Sequence, residues 1–169
     1  IQKFEKLKQV LSNLFVNSEF NISLEPGRAI LADSGILITK VIRTKKTLNK
    51  NFLIVDSGMN DFIRPTLYNA FHRFIPLKKI RTRSLTNYDI VGPICETGDY
   101  FGLNIKMQNI HKNEYLAIMS TGAYGSVMSS NYNTRPNIAE VLVYKGKVSI
   151  LRKRQTIDDL ISKDLLPEF

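Results

Sequence analysis

The chain has 169 residues, 43% of them hydrophobic, enough for one ordinary core rather than two. Its formal charge is +9, but the basic residues are scattered and no basic stripe interleaved with aromatics marks a nucleic-acid surface. A single cysteine and two histidines, His72 and His111, exclude an internal disulfide framework and leave no zinc spacing; no run is long and apolar enough to span a bilayer and no charged-then-apolar leader opens the chain, so the expectation is a cytoplasmic protein with no membrane partner.

Ile1, Phe4, Leu7, Leu11, Leu14 and Phe15 recur at helical spacing with Lys3, Glu5, Lys6 and Lys8 between them, which predicts an amphipathic helix over 1–16. Ile22-Ser23-Leu24 predicts a short strand ending at Glu25-Pro26. A helix followed by a strand with functional residues at its C-terminal end is the repeat unit of a β/α barrel, and one unit cannot close a barrel. Because the chain opens on Ile1 inside a helical pattern, it is expected to be a piece of a longer protein, with the apolar side of residues 1–16 left uncovered.

From Ala29 onward the pattern changes to strands, over 36–42, 52–56 and 115–119, and over 139–144 with 148–153. Arg43 to Lys50, the densest basic cluster, reads as a solvated hairpin loop. Arg64-Pro65 predicts a helix start carrying Leu67, Tyr68, Ala70 and Phe71, since proline suits the first helical turn. Lys145-Gly146-Lys147 is a hairpin signal, and Thr156 with Asp159 an acidic capping box for a helix over Leu160 and Ile161. The expected fold is mainly β: a C-terminal antiparallel β-barrel or sandwich domain with short helices over 30–169, preceded over 1–29 by the last helix-strand unit of an incomplete (β/α)8 barrel.

Four polar, glycine-bearing loops interrupt the apolar runs. They are Glu25-Pro26-Gly27-Arg28, residues 56–68 (including Asn60-Asp61-Phe62-Ile63-Arg64-Pro65), residues 91–99 with Cys95-Glu96 between glycines, and Gly122-Ala123-Tyr124-Gly125 running on to Ser129-Ser130-Asn131-Tyr132-Asn133. A structural cysteine usually sits in a continuous apolar run, whereas Gly92-Pro93 and Thr97-Gly98-Asp99 force a turn at Cys95 and lift the thiol outward. Arg64 and Tyr68, four apart on the predicted helix, share one side of its first turn.

Taken in order, these four blocks closely resemble the C-terminal half of the diaminopimelate decarboxylase family, pyridoxal-phosphate enzymes built from a barrel and a β-domain. The resemblance covers the chain from about residue 20 onward. It implies decarboxylation of meso-2,6-diaminopimelate to L-lysine and carbon dioxide, with pyridoxal 5'-phosphate as electron sink while the protein holds the cofactor, orients the bond to be broken and delivers a proton. By that resemblance Glu25, Pro26, Gly27 and Arg28 serve the cofactor phosphate, Tyr124 touches cofactor and substrate, and Arg28, Arg64 and Tyr68 clamp the distal carboxylate. Cys95 resembles the proton donor, and Glu96 the acceptor of the substrate's distal ammonium. Asp99 reads as a loop-holding carboxylate, and His72 and His111 as structural or surface residues. The resemblance also implies a homodimer in which the Cys95 loop completes the partner's site.

The family's Schiff-base lysine, the histidine that stacks on its cofactor ring and its glycine-rich phosphate loop belong to the barrel, outside residues 1–169. The polypeptide alone is therefore expected to be inactive and to bind the cofactor weakly. Two other functions stand beside this one. Decarboxylases of the ornithine, arginine or carboxynorspermidine type share the chemistry, although ornithine and arginine lack the distal carboxylate that an arginine clamp would grip. A non-catalytic decarboxylase-like binding domain would be free to lose the clamp or the thiol, and both are present.

Overall fold

The structure is a computed structural model that describes residues 2–17, 19–78 and 84–168. Helix α1, Gln2–Leu14, follows the predicted periodicity, and its apolar stripe of Phe4, Leu7 and Leu14 is exposed. Ile1, first of that set, lies outside the described residues. The strand expected over 22–24 does not form. An extended segment becomes a strand only when a neighbour satisfies its backbone groups, and here residues 22–24 pair with no other described segment. The chain instead runs on to a one-turn helix α2, Arg28–Leu31, and a 3-10 turn, Ala32–Ser34.

Six strands form one sheet: β1 (Leu37–Lys46), β2 (Asn51–Val55), β3 (Phe74–Pro76), β4 (Leu85–Val91), β5 (Tyr100–Gln108) and β6 (Tyr115–Ile118). Their order is β3-β6-β1-β2-β4-β5, with every neighbouring pair antiparallel except β2 and β4. Alternate residues Leu37, Thr39 and Val41 of β1 are buried. Beyond them β1 runs into solvent carrying Arg43, Lys45 and Lys46, and turns at Thr47–Lys50, where Thr47 N–H donates to Lys50 O at 2.8 Å. The basic cluster is thus one arm and the tip of an exposed hairpin.

The core collects Val41, Leu53, Val55, Phe62, Ile90, Phe101, Leu116 and Ile118 from five strands and one loop. Each such side chain contributes about 1.5–3 kcal/mol on burial. Phe62, 1% exposed, belongs to the loop between β2 and a short helix α3, Arg64–Tyr68, so its burial fixes α3 against the sheet. The helix is shorter than predicted. Asn69, at φ 50, ends it before Ala70 and Phe71, and Phe71 is exposed.

Strands β7 (Glu140–Tyr144) and β8 (Lys147–Arg152) form a separate hairpin. Its two turn residues, Lys145 at φ 49 and Gly146 at φ 74, are both left-handed, as a type I' turn requires. Helix α4, Ile157–Ile161, starts with the predicted capping box: Thr156 Oγ1 accepts from Asp159 N–H at 3.1 Å and the Asp159 carboxylate accepts from Thr156 N–H at 2.7 Å.

Candidate functional site

The loop from β2 to α3 is built by Asp61, which is 4% exposed. Its carboxylate accepts from Gly58 N–H at 2.9 Å and lies 3.7 Å from Arg135 Nη2. Burial pushes the Asp61 carboxyl above its usual range, against the Gly58 hydrogen bond and the Arg135 charge. This tight turn delivers Phe62 to the core and Arg64 to the first position of α3.

Arg64 is 8% exposed, and its buried Nε has no hydrogen-bond partner among the described residues. The guanidinium carbon lies 5.2 Å from the Tyr68 ring centroid and 5.6 Å from that of Tyr124. Both rings offer their negative faces to the cation, and both tyrosines remain about half exposed. Arg64 and Tyr68 therefore do share a side of α3, as their spacing predicts.

The Glu25–Arg28 loop reaches the same place. Gly27 has φ +45, and a Cβ there would stand 2.8 Å from the Tyr124 hydroxyl, so only glycine fits both the backbone and the contact. The segment that follows docks on the Tyr124 loop through Thr121 N–H to Gly35 O at 2.9 Å and Gly122 N–H to Ala32 O at 3.0 Å. Glu25, Pro26, Gly27 and Arg28 are exposed. Gly27, Arg64, Tyr68 and Tyr124 thus belong to one cluster, and Arg28 follows Gly27 directly, its charge acting on His72. Nearby His72, 6% exposed, packs edge-on against Phe62 with ring centroids 4.7 Å apart, and its Nδ1 lies 2.9 Å from Met119 O. A carbonyl only accepts, so Nδ1 carries the proton, and the buried Nε2 has no hydrogen-bond partner among the described residues. Burial lowers the His72 pKa from its ordinary 6.5, opposed by the Met119 hydrogen bond and reinforced by the charges of Arg64 and Arg28.

The cysteine loop is a second, separately anchored group. Asp99, 4% exposed, accepts from Met59 N–H and from Ile94 N–H, each at 2.6 Å, and Gly92 N–H closes the loop on Asp99 O at 2.9 Å. Asp99 is the loop-holding carboxylate that the sequence indicated. Burial pushes its carboxyl up, against those two N–H groups. Thr66 Oγ1 donates to Gly98 O at 2.5 Å, tying the loop to α3. Cys95 and Glu96 project from it exposed, and Glu96 Oε2 accepts from the Tyr132 hydroxyl at 3.3 Å. Residues two apart on a helix do not share a face, so the Thr66 anchor holds this loop on a different side of α3 from Arg64 and Tyr68.

Sequence reasoning placed Thr66 and Tyr132 within two of the four blocks but gave neither a role, and Arg135 lay outside all of them. Arg135 Nε donates to Asn60 Oδ1 at 2.9 Å and its Nη2 to Asp56 O at 2.7 Å, across 75 and 79 residues. No local pattern announces such contacts. A cleft of about 720 Å³ lies elsewhere, between the sheet and β7–β8, and none of the predicted site residues lines it. Several of its polar groups are satisfied within the fold: Asp56 Oδ1 accepts from the Thr39 hydroxyl and from the Lys40 backbone N–H, and Arg152 pairs with Glu140 at 2.7 Å. Asn137 Oδ1, in the wall of this cleft, is also buried without a hydrogen-bond partner among the described residues, but it belongs to a neutral amide, whereas Arg64 Nε belongs to a cation.

The family model for the C-terminal sheet domain of pyridoxal-dependent decarboxylases matches residues 14–122. A diaminopimelate decarboxylase of Aquifex aeolicus (strain VF5) is 48% identical over 161 residues, which cover 95% of this chain and 38% of that protein. Among solved structures, AQ1208 from Aquifex aeolicus superposes with a TM-score of 0.87 at 48% identity, over 95% of this chain and 40% of that one. Diaminopimelate decarboxylase from Helicobacter pylori, complexed with L-lysine, gives 0.82 at 40% identity, over 91% and 38%. The chain thus spans about two-fifths of the length of these relatives.

Proposed function

The chain belongs to the pyridoxal-dependent decarboxylases, whose C-terminal sheet domain it carries, and from that premise we propose that the complete protein converts meso-2,6-diaminopimelate to L-lysine and carbon dioxide. The observation that carries this reading is the Arg64 guanidinium, buried, unpaired at Nε and flanked by Tyr68 and Tyr124. Such a group is a receptor for a carboxylate, which it can grip through parallel hydrogen bonds worth about 1.5–3 kcal/mol each. A substrate of the ornithine or arginine type would leave it unmatched.

The residues present fit pyridoxal phosphate beside that receptor. Gly27 leaves bare the space a Cβ would fill next to the Tyr124 hydroxyl, so Glu25, Pro26, Gly27, Arg28 and Tyr124 are the residues proposed to hold it. When bound, the cofactor supplies an electron sink for the carbon that loses its carboxylate. Arg28, Arg64 and Tyr68 then hold the distal carboxylate, and Glu96 the distal ammonium. The Cα–carboxylate bond breaks to give carbon dioxide. The Cys95 thiol gives its proton to the same carbon and is reprotonated from solvent.

Residues 1–29 are assigned to the end of a β/α barrel and 30–169 to the sheet domain, and a cytoplasmic homodimer with sites shared across its interface accompanies that assignment. What supports sharing is that Cys95 and Arg64 are anchored on different sides of α3 within one chain. The 169-residue chain alone is expected to be inactive. The test is carbon dioxide release by the complete protein with pyridoxal phosphate, from meso-diaminopimelate, ornithine and arginine. Cys95→Ala should lower kcat on diaminopimelate by 10²-fold or more, the scale of a general acid. Release from ornithine or arginine but not diaminopimelate would overturn the substrate assignment.

A further inference from the structure

The turn after Ser130 holds two consecutive non-glycine residues in the left-handed region, Asn133 at φ 58 and Thr134 at φ 56. For β-branched threonine this conformation is an outlier, kept only where the surroundings impose it, and such strain gathers at functional sites. Here the surroundings are a set of staples. Ser130 N–H donates to Asn60 O at 2.9 Å, Arg135 Nε to Asn60 Oδ1 at 2.9 Å, and Asn131 Nδ2 ties the turn across itself to Arg135 O at 2.9 Å. Both ends of the turn are thereby fastened to the loop before α3. The residue thrust outward between them is Tyr132, whose hydroxyl meets Glu96 Oε2 at 3.3 Å.

The other side of Glu96 is fastened to the same loop. Asp99 binds Met59 N–H, one residue from Asn60, and Ile94 N–H, two residues from Glu96, while Glu96 Oε1 accepts from Gly98 N–H at 3.3 Å. Tyr132 and Glu96 therefore stand on two arms built from one base, and their contact closes the ring.

We propose that Tyr132 is a positioning residue that fixes the Glu96 carboxylate for the distal ammonium of the substrate, and so sets the preference for a diamino diacid over an analogue lacking that ammonium. This inference rests on the assignment of Glu96 made above. The hydroxyl donates to Oε2 and Gly98 N–H to Oε1, so both oxygens are held, and the exposed carboxylate keeps further lone pairs for a cation. Without it, Glu96 keeps its charge but samples other rotamers.

The experiment is steady-state kinetics of the complete, cofactor-loaded protein in four forms: parent, Tyr132→Phe, Glu96→Gln, and the double variant. Tyr132→Phe should raise KM for meso-diaminopimelate about tenfold with kcat changed less than twofold. It should also narrow the parent's preference for diaminopimelate over 2-aminopimelate, measured by competition. In the Glu96→Gln background the same substitution should leave KM unmoved, because the two act as one unit. Phenylalanine keeps the ring at a half-exposed position, so folding is retained, and an unchanged melting temperature confirms it. An unmoved KM in an active enzyme, an equal cost with and without Glu96, or a fall in kcat alone overturns the inference. A parent that releases no carbon dioxide from diaminopimelate overturns the functional assignment, and this inference with it.

Discussion

Asp99 has no expected contact with substrate, yet its removal should disable the cysteine loop. The carboxylate receives two backbone N–H groups at 2.6 Å, from Met59 and Ile94, and is 4% exposed. Each is a hydrogen bond to a charged group, worth about 1.5–3 kcal/mol. Asp99→Ala abolishes both and leaves two N–H groups unpaired. The gross loss of about 3–6 kcal/mol is offset by release of the buried charge, whose burial already pushes the carboxyl pKa up. A net loss of about 2–4 kcal/mol follows, a large share of the ~5–15 kcal/mol that holds a typical domain. With a urea m-value of about 2 kcal/mol per molar, the midpoint should fall by about 1–2 M at unchanged m. Asp99→Asn keeps one acceptor and should lose roughly half as much.

Two local readouts accompany the midpoint. Exchange of the Met59 and Ile94 amide protons should accelerate, and alkylation of Cys95 should change rate as its loop loosens. Gly92 supplies an independent check, since a Cβ there would lie 2.3 Å from the Asp99 carboxylate. Gly92→Ala should displace that carboxylate, and its cost should largely vanish when Asp99 is already alanine. Asp99→Asn within about 0.5 kcal/mol of the parent, or additive losses for Gly92→Ala and Asp99→Ala, would refute the reasoning.

Gly27→Ala should place a methyl 2.8 Å from the Tyr124 hydroxyl at a φ of +45, costing about 1–2 kcal/mol in backbone alone. It should weaken pyridoxal phosphate binding in a fluorescence titration of the complete protein, and unchanged affinity would separate Gly27 from the cofactor. His72 predicts a pH dependence. Its folded pKa lies below the unfolded 6.5, so the unfolded state binds the extra proton first as pH falls, and the stabilising contribution is full above 6.5 and lost as pH drops through the folded value. Urea midpoints from pH 8 down to 5 should decline in the parent and decline less in His72→Asn, whose amide can still donate to Met119 O. Asp61 and Asp99, with folded pKa values above 3.8, act in the opposite sense, their contribution being full below 3.8 and lost as pH rises through the folded values. A midpoint that rises on acidification through 6.5 would contradict the His72 assignment.

What the sequence made legible was local. Lys145-Gly146, Thr156 with Asp159, and Arg64 with Tyr68 each carry their geometry within five residues, and each appears as expected. Strands β4 and β5 are not among the strands that the sequence indicated, and each carries residues poorly suited to a strand interior, Asp89 in the one and Gly102 and Asn104 in the other. The structure makes them compatible with a sheet through distant partners. Asn104 takes φ 54 at an irregularity between the strands, its N–H donates to Asp89 at 2.8 Å, and Lys50 approaches the same carboxylate at 2.7 Å. Burial opposes the Asp89 charge, but these partners outweigh it and hold its pKa below the usual 3.8. The strand expected over 22–24 errs the other way: its apolar pattern was real, but pattern cannot supply a pairing neighbour. The same limit hid Arg135 and Tyr132, whose partners lie 36–79 residues away.

The short helix α3 sets the relation between the Cys95 loop and the Arg64 side of the fold. With five residues it makes fewer than two turns, enough to put Arg64 and Tyr68 on one side and Thr66 on another. Gly27 and Tyr124 gather on the first side, and the Cys95 loop is tied to Thr66 on the second. In the proposed reaction Cys95 must come within hydrogen-bond reach of the substrate carbon that loses its carboxylate, while Arg64 holds the far end of the same molecule. Loosening the Cys95 loop to bring it round would break the Asp99, Thr66 and Tyr132 contacts together. Supplying Cys95 from a second copy leaves all three intact, and that economy is the physical case for a shared site.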